Sequence, residues 1–308
     1  MRYLVTGGAG FIGFHLSRTL LQNGHDVLCI DNLSTGQASN LAALSDFSAF
    51  TFIRQDVTEP FFCDADAIFN LACPASPVHY QRTPVDTLKT AVIGTLNALE
   101  LARQQSIPML QASTSEVYGD PAVHPQHEGY QGSVSITGPR ACYDEGKRCA
   151  ETLCFDFQRQ YQVDVKVARI FNTYGPGMAP DDGRVIMNLI NLALADEPLT
   201  LYGDGQQTRS FCYIDDMISG LIKLLGLTQQ ISEPVNLGNP EELRIIDLAN
   251  HILKLTNSRS ELTFSPLPVD DPHQRCPDIA LAEALLGWTP RIPLQQGLLR
   301  VIQSIRNR

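Results

Sequence analysis

The sequence predicts an α/β protein: a doubly wound parallel sheet followed by a smaller C-terminal α/β lobe. Three observations carry this. Short apolar runs alternate with longer segments of helical period through the first half. A glycine triplet, Gly7, Gly10 and Gly13, separates the first apolar run from the first helical segment. Beyond Gly175 the alternation loosens, with Gly175, Pro176, Gly177, Pro180 and Gly183 crowded together. Strands that alternate with helices require crossovers, and those crossovers cover both faces of a parallel sheet.

Taken in order, Tyr3 to Thr6 reads as the first strand. Phe11 to Asn23 is a helix, with Phe11, Ile12, Leu16 and Leu20 at helical spacing and Gly24 as its stop. Val27 to Ile30, Thr51 to Ile53 and Ala67 to Leu71 are strands two to four. Pro84 to Gln105 reads as one long amphipathic helix, Ile107 to Gln111 as strand five, Cys142 to Tyr161 as a second long helix and Val163 to Ile170 as strand six. Beyond 175, helices are expected near 184–195, 215–227, 245–255 and 279–286, and strands near 199–202 and 235–237. A boundary is expected at 175, with some later segments returning to the first domain.

Composition narrows the class. The chain has 308 residues, 44% hydrophobic and 18% charged, the make-up of a globular protein. Its 23 basic and 33 acidic side chains leave a net charge of -10, which argues against nucleic-acid or membrane-surface partners. The N-terminus lacks a signal-peptide pattern, and no apolar run approaches the roughly 18 residues of a membrane span, so a cytoplasmic protein is expected. Eight cysteines show neither a C-x-x-C pair nor zinc-finger spacing, and read as reduced thiols with no metal.

The glycines carry the first chemical signal. A glycine-rich turn between a strand and a helix lets the backbone approach a pyrophosphate, and the helix N-terminus favours its charge. Asp31 ends the second strand, placed to accept hydrogen bonds from a ribose diol. That carboxylate would repel a 2′-phosphate, and Asn32 to Gly36 offer no Arg or Lys to hold one, so the expected cofactor is NAD. The second signal is Tyr143 and Lys147, four apart on a helix and so on one face. A neighbouring ammonium would bring the Tyr143 pKa down from about 10 and make it a general base. The third is Ser113, Thr114, Ser115 and Glu116 at the end of strand five, where ligands sit in an open α/β sheet.

Together these residues resemble the extended short-chain dehydrogenase/reductase superfamily, sugar-nucleotide branch, and within it the UDP-glucuronate decarboxylases. The likeness runs along the whole chain: LVTGGAGFIG (4–13), LACPASPVHYQ (71–81), ASTSEVYGDP (112–121), CYDEGKR (142–148), ARIFNTYGP (168–176), DDGRV (181–185), YGDGQQTRSFCY (202–213), VNLGNP (235–240) and DDPHQRCPDI (270–279). It implies a Rossmann domain over 1–175 and a lobe over 176–308 that mainly binds the nucleotide sugar. It implies redox-neutral conversion of UDP-glucuronate to UDP-xylose through a 4-keto sugar, in a homodimer joined through the two long helices.

The same resemblance assigns roles. Thr114, Glu116, Tyr143, Lys147 and Arg275 would be catalytic, with Tyr143 taking the C4 hydroxyl proton, Thr114 sharing that oxygen and Arg275 positioning the sugar carboxylate or a phosphate. Gly7, Gly10, Phe11, Ile12, Gly13, Asp31, Asn32, Asp56, Val57, Leu71 and Ala72 would hold NAD together with Tyr143 and Lys147. Pro74, His79, Tyr80, Ser115, Asn172, Arg184, Val185, Tyr202, Gln207, Arg209 and Tyr213 would line the substrate site. Three positions depart from the pattern: Ala91 for a usual Asn, Gln131 for Trp and Gly177 for Arg. The first would alter a hydrogen bond near the cofactor, and the other two local packing. Competing readings are a nucleotide-sugar 4-epimerase or 4,6-dehydratase and a non-catalytic NAD-binding scaffold. The dehydratase reading lacks its acid, because Ser115 stands where such enzymes carry Asp.

Overall fold

The computed structural model describes residues 1–267 and 274–307, so positions 270–273 of the DDPHQRCPDI segment lie outside the described residues. The first part runs β1 (Arg2–Thr6), α1 (Phe11–Gln22), β2 (Asp26–Asp31), α2 (Ala38–Leu44), β3 (Phe50–Arg54), β4 (Ala67–Asn70), α3 (Pro77–Tyr80), α4 (Pro84–Lys89), α5 (Thr95–Gln105), β5 (Met109–Thr114), α6 (Ala141–Tyr161), β6 (Val165–Ile170) and β7 (Thr173–Tyr174). There follow α7 (Val185–Leu194), β8 (Leu199–Tyr202), β9 (Thr208–Ser210), β10 (Cys212–Tyr213), α8 (Ile214–Leu225), β11 (Val235–Leu237), β12 (Glu242–Arg244), α9 (Ile245–Thr256), β13 (Leu262–Ser265), β14 (Gln274–Arg275), α10 (Ala280–Leu286) and α11 (Leu294–Arg306).

Seven strands form one parallel sheet in the order β3-β2-β1-β4-β5-β6-β11. Strand order reverses between β1 and β4, so the crevice above their carboxyl ends is where a ligand binds. Every residue of β4 and β5 is buried, as a sheet covered on both faces requires. One core packs α1 and α8 under one face and continues into the lobe helices α7 and α9, and a second packs α5 and the C-terminal half of α6 under the other. The β11 strand, read in sequence beyond the boundary, pairs with β6 at Val235–Ala168 and extends the main sheet.

Two expectations change. The helix expected over 84–105 is broken by a π turn at Thr90–Gly94. There the helix is pressed from two sides: a Cβ on Gly94 would lie 2.7 Å from Val57 Cγ2, and Ala91 packs against Gly146 of α6. The reading also missed α2, α3 and α11. For α11 the signal was present, since Leu298, Val301, Ile302 and Ile305 recur at helical spacing.

The 21-residue α6 splits its buried stripe in two. Its first half buries Tyr143, Asp144, Lys147 and Glu151, and its second half Cys154 and Phe157. Glu151 anchors the polar half. Its carboxylate accepts from Arg169 Nε (3.0 Å) and Nη2 (2.7 Å) and from the Ser113 hydroxyl. Arg169 Nη1 donates onward to the Tyr118 hydroxyl at 3.0 Å. Removing one partner of a buried pair strands the other charge. Glu151→Ala is expected to lower unfolding free energy by roughly 3–5 kcal/mol in urea melts; a loss below about 1 kcal/mol would show that water already screens the pair.

Candidate active site

The carboxyl ends of the sheet open into a cavity of about 560 Å³. Its cofactor end is built by the glycine turn. Thr6 Oγ1 accepts from the N–H groups of Leu71 (3.1 Å) and Ala72 (3.2 Å), drawing the loop after β4 against Gly7. A Cβ on Gly7 would sit 2.9 Å from the Ala72 backbone, and one on Gly13 2.2 Å from Gly7 O, so only glycine fits. Gly10 caps α1 without a side-chain hydrogen bond, leaving the first N–H groups of the helix aimed into the cavity.

Asp31 sits at the mouth of this turn. Its carboxylate accepts from Ala9 N–H (3.0 Å) and Leu33 N–H (2.8 Å). Burial pushes its pKa up, and the two N–H groups oppose that. Gly36 lies directly over it, where a Cβ would be 3.1 Å from Oδ1, so glycine there keeps the carboxylate open to a diol. This turn, helix end and carboxylate fit a dinucleotide.

The catalytic end gathers on α6 and the segment after β5. Tyr143 is hydrogen-bonded to the Thr114 hydroxyl and stacked on Tyr80, ring centroids 5.1 Å apart and parallel. Lys147 Nζ lies 5.9 Å from the Tyr143 ring centre and donates to Ala112 O at 2.8 Å. The expected lowering of the Tyr143 pKa is therefore not a property of the protein groups alone. Burial pushes it well above its ordinary value, Cys73, Glu116 and Tyr80 add to this, and Thr114 opposes it.

Glu116 is held by arginines from two sides. Its Oε2 accepts from Arg275 Nη2 (3.2 Å) and Arg140 Nη1 (3.4 Å). Burial opposes its ionisation, but Arg275, Arg140 and Arg209 outweigh burial and hold the carboxyl below its ordinary range. Arg275 is itself fully buried, its Nη1 donating to Ser115 O and its Nη2 to Gly119 O at 3.0 Å. Among the described residues its buried Nε has no partner, and through Nη2 Arg275 fixes Glu116.

The residues expected to line the sugar-nucleotide site, Pro74, His79, Tyr80, Ser115, Asn172, Arg184, Val185, Tyr202, Gln207 and Arg209, line the same cavity, as do Phe11, Ile12, Asn32, Val57, Leu71 and Ala72. The His79 Nδ1 is buried there without a partner among the described residues. Arg184 is forked onto Asp182, with Nη2 2.7 Å from Oδ2. Two assigned residues fall elsewhere. Tyr213 points away from the cavity and packs on Tyr174 (5.5 Å) beneath Arg300 (5.3 Å), while Phe211 lines the cavity. Asp56 spends its carboxylate on Asn32 Nδ2 (2.8 Å) and Thr58 Oγ1 (2.7 Å), so it orients Asn32 and does not line the cavity.

Sequence reasoning missed Arg140 and Asp144. Asp144 shares the buried stripe of α6 with Tyr143, Lys147 and Glu151, and that spacing was the available signal. Its carboxyl is buried with Oδ1 unpartnered, and its pKa is pushed up to about 8 by burial and by Glu116 against the pull of Arg140 and Arg275.

Residues 3–238 match the family described as the NAD dependent epimerase/dehydratase family. UDP-glucuronic acid decarboxylase 1 of Danio rerio is 52% identical over 302 residues, 98% of this chain and 72% of that protein. UDP-glucuronic acid decarboxylase 6 of Arabidopsis thaliana is 50% identical, across 100% of this chain and 90% of its own length. Among solved structures, the UDP-glucuronic acid 4-epimerase of Bacillus cereus, in complex with UDP-glucuronic acid and NAD, aligns with a TM-score of 0.90 at 30% identity, covering 100% of this chain and 99% of its own. The UDP-glucose 4-epimerase of Thermotoga maritima aligns with a TM-score of 0.90 at 27% identity, over 100% of this chain and 99% of its own.

Asp144 yields a pH signature. Its carboxyl titrates at about 8 in the fold and near its ordinary value of 3.8 when exposed. Between those values the folded chain holds a proton that the unfolded chain has lost, so this group makes stability fall as pH rises. Asp144→Asn cannot ionise and is expected to be more stable than the parent at pH about 8 by about 1 kcal/mol or more, with the gap closing near pH about 4. Urea melts at the two pH values test this, and a gap independent of pH would contradict it.

Proposed function

Because this chain belongs to the NAD dependent epimerase/dehydratase family, we propose that it is a UDP-glucuronate decarboxylase whose product is UDP-xylose. One observation carries this over an epimerase reading: relatives near one-half identity along the whole chain bear the decarboxylase name, whereas the epimerase structures that share the fold stand at 30% or below. The site is consistent with that choice, because Glu116 and its arginines lie beside Thr114 and Tyr143.

The glycine turn and the α1 N-terminus would hold the cofactor pyrophosphate, Asp31 a ribose and Lys147 the nicotinamide side. When bound, NAD accepts hydride from sugar C4 and later returns it, and its cationic ring favours the Tyr143 phenolate. Tyr143 Oη takes the C4 hydroxyl proton, and Thr114 shares that oxygen. With C4 a ketone, the sugar carboxylate is β to a carbonyl, and carbon dioxide leaves with its bonding electrons passing to O4. The enolate charge falls between the Tyr143 and Thr114 hydroxyls, which stabilise it by hydrogen bonds placed in advance. A proton then returns to C5. Glu116, held by Arg275 and Arg140, orients the sugar. Arg209 and Arg184 suit the diphosphate, since a guanidinium binds phosphate oxygens in pairs.

The remaining readings are of the same kind. We assign 1–175 to the cofactor and most of 176–308 to the nucleotide sugar. The eight free thiols support a reducing, cytoplasmic setting; among the described residues no helix is long and apolar enough to cross a membrane. Val85, Leu88, Ile93 and Leu96 form an exposed apolar stripe along α4, the π turn and α5, which supports a homodimer through these helices and α6.

Incubation with UDP-glucuronate and NAD, followed by proton NMR of the sugar, should show UDP-xylose forming with NAD unconsumed. UDP-galacturonate would turn the assignment to the epimerase. Tyr143→Phe is expected to bind UDP while losing roughly 10²- to 10⁴-fold in turnover; near-normal turnover would reject Tyr143 as the base. Val85→Glu with Ile93→Glu is expected to give a monomer by light scattering, and an unchanged mass would place the subunit contact elsewhere.

A further inference from the structure

Outside the cavity, side chains from three separate segments converge. His124 comes from the loop after β5, Glu242 opens β12, and Cys276 follows β14 directly. His124 Nε2 and Glu242 Oε2 are 2.8 Å apart, and one imidazole nitrogen, one carboxylate oxygen and Cys276 Sγ all lie within 4.8 Å of one another. The second Glu242 oxygen accepts from Thr208 Oγ1 at 2.7 Å, which fixes the plane of the carboxylate. Cys276 is pinned by its backbone, with its N–H on Gln126 Oε1 (2.9 Å) and its carbonyl accepting from Gln126 N–H (2.9 Å). The thiol is buried at the floor, and the imidazole and carboxylate reach it from the solvent side.

We propose that His124, Glu242 and Cys276 form a zinc(II) site. One imidazole nitrogen, one carboxylate oxygen and one thiolate sulfur are three ligands of the kind zinc takes, with water in the fourth position. A thiolate and an imidazole select against magnesium and calcium, which prefer oxygen alone. Zinc bonds of about 2.0–2.3 Å set tetrahedral ligand atoms roughly 3–4 Å apart. The His124–Glu242 separation of 2.8 Å lies just below that range and no separation exceeds 4.8 Å, a difference that side-chain rotation closes. On binding, the His124–Glu242 hydrogen bond breaks, the imidazole proton moves from Nε2 to Nδ1 so that the Nε2 and carboxylate lone pairs turn to the ion, and the thiol gives up its hydrogen bond to Pro240 O (3.3 Å) and releases its proton to solvent. The ordered Thr208 and Gln126 contacts already do the work of an outer shell. Bound metal would tie together β12, β14 and the loop after β5, immediately beside Arg275.

The test is titration of the chelator-treated full-length protein with cobalt(II) alone, read by the thiolate-to-cobalt charge-transfer band in the near ultraviolet. One equivalent should raise the band, and zinc should abolish it. Cys276→Ser should lose the band, whereas Cys149→Ser, which removes an exposed thiol elsewhere, should keep it. His124→Ala alters an exposed side chain, so it serves as the second variant if Cys276→Ser does not fold, and it should weaken cobalt binding by about tenfold or more. A band that survives Cys276→Ser, unchanged affinity in His124→Ala, or no band in the parent at millimolar cobalt would overturn the site. Decarboxylation, assayed separately, is not the readout, so failure here leaves the proposed function standing.

Discussion

The position of α6 depends on the buried ion pair between Glu151 and Arg169. The pair joins the helix to β6, and through Ser113 it reaches β5. Arg169 continues to Tyr118, whose hydroxyl donates to Asn236 of β11 at 2.8 Å. Helix, two central strands and the turn after β5 are therefore held in one frame. Lys147 and Tyr143 stand one and two turns ahead of Glu151 on the same face, so their placement against Thr114 follows from this anchor. A hydrophobic contact could hold the helix against the sheet but would leave it free to slide, whereas a forked guanidinium admits one register.

Charge organises the other side of the cavity. Around Glu116 stand Arg275, Arg140 and Arg209, with Asp144 as a second acid nearby. The arginines keep Glu116 ionised, while burial and the Glu116 charge outweigh them at Asp144 and leave it protonated at neutral pH. Two acids a few residues apart in the fold thus take opposite states, because one receives the arginines directly and the other receives mainly burial. A dianionic diphosphate and a sugar carboxylate entering this space meet a region already biased toward negative ligands.

Much of this could be read in the sequence where chemistry and backbone geometry coincide. Gly7 and Gly13 must be glycine for steric reasons, and the strand before them and helix after them made the purpose of the triplet plain. The Tyr143–Lys147 spacing sat within one long periodic helix. What stayed hidden depended on distant residues. The role of Asp144 comes from its closeness to Glu116 and Arg140, which no local pattern encodes. Tyr213 matched a substrate position by resemblance, yet the pairing of β10 with β7 turns it toward Tyr174 and α11. The partial use of Arg275 on Ser115 O and Gly119 O likewise follows from a strand pairing, β14 with β9, that short segments do not announce.

The π turn at Thr90–Gly94 acts as a phase adjuster. In a regular helix five residues turn through about 500°, which would leave Ile93 about 140° around the barrel from Leu88. A π turn bonds residues five apart and stacks them, so the outward stripe that begins with Val85 and Leu88 resumes at Ile93 and Leu96. The inner side is served by the same adjustment, since Ala91 and Gly94 stay turned toward Gly146 and Val57. A single residue of extra length therefore lets one rod present two faces at once, and the phase of the exposed apolar stripe and that of the cofactor wall are inherited together.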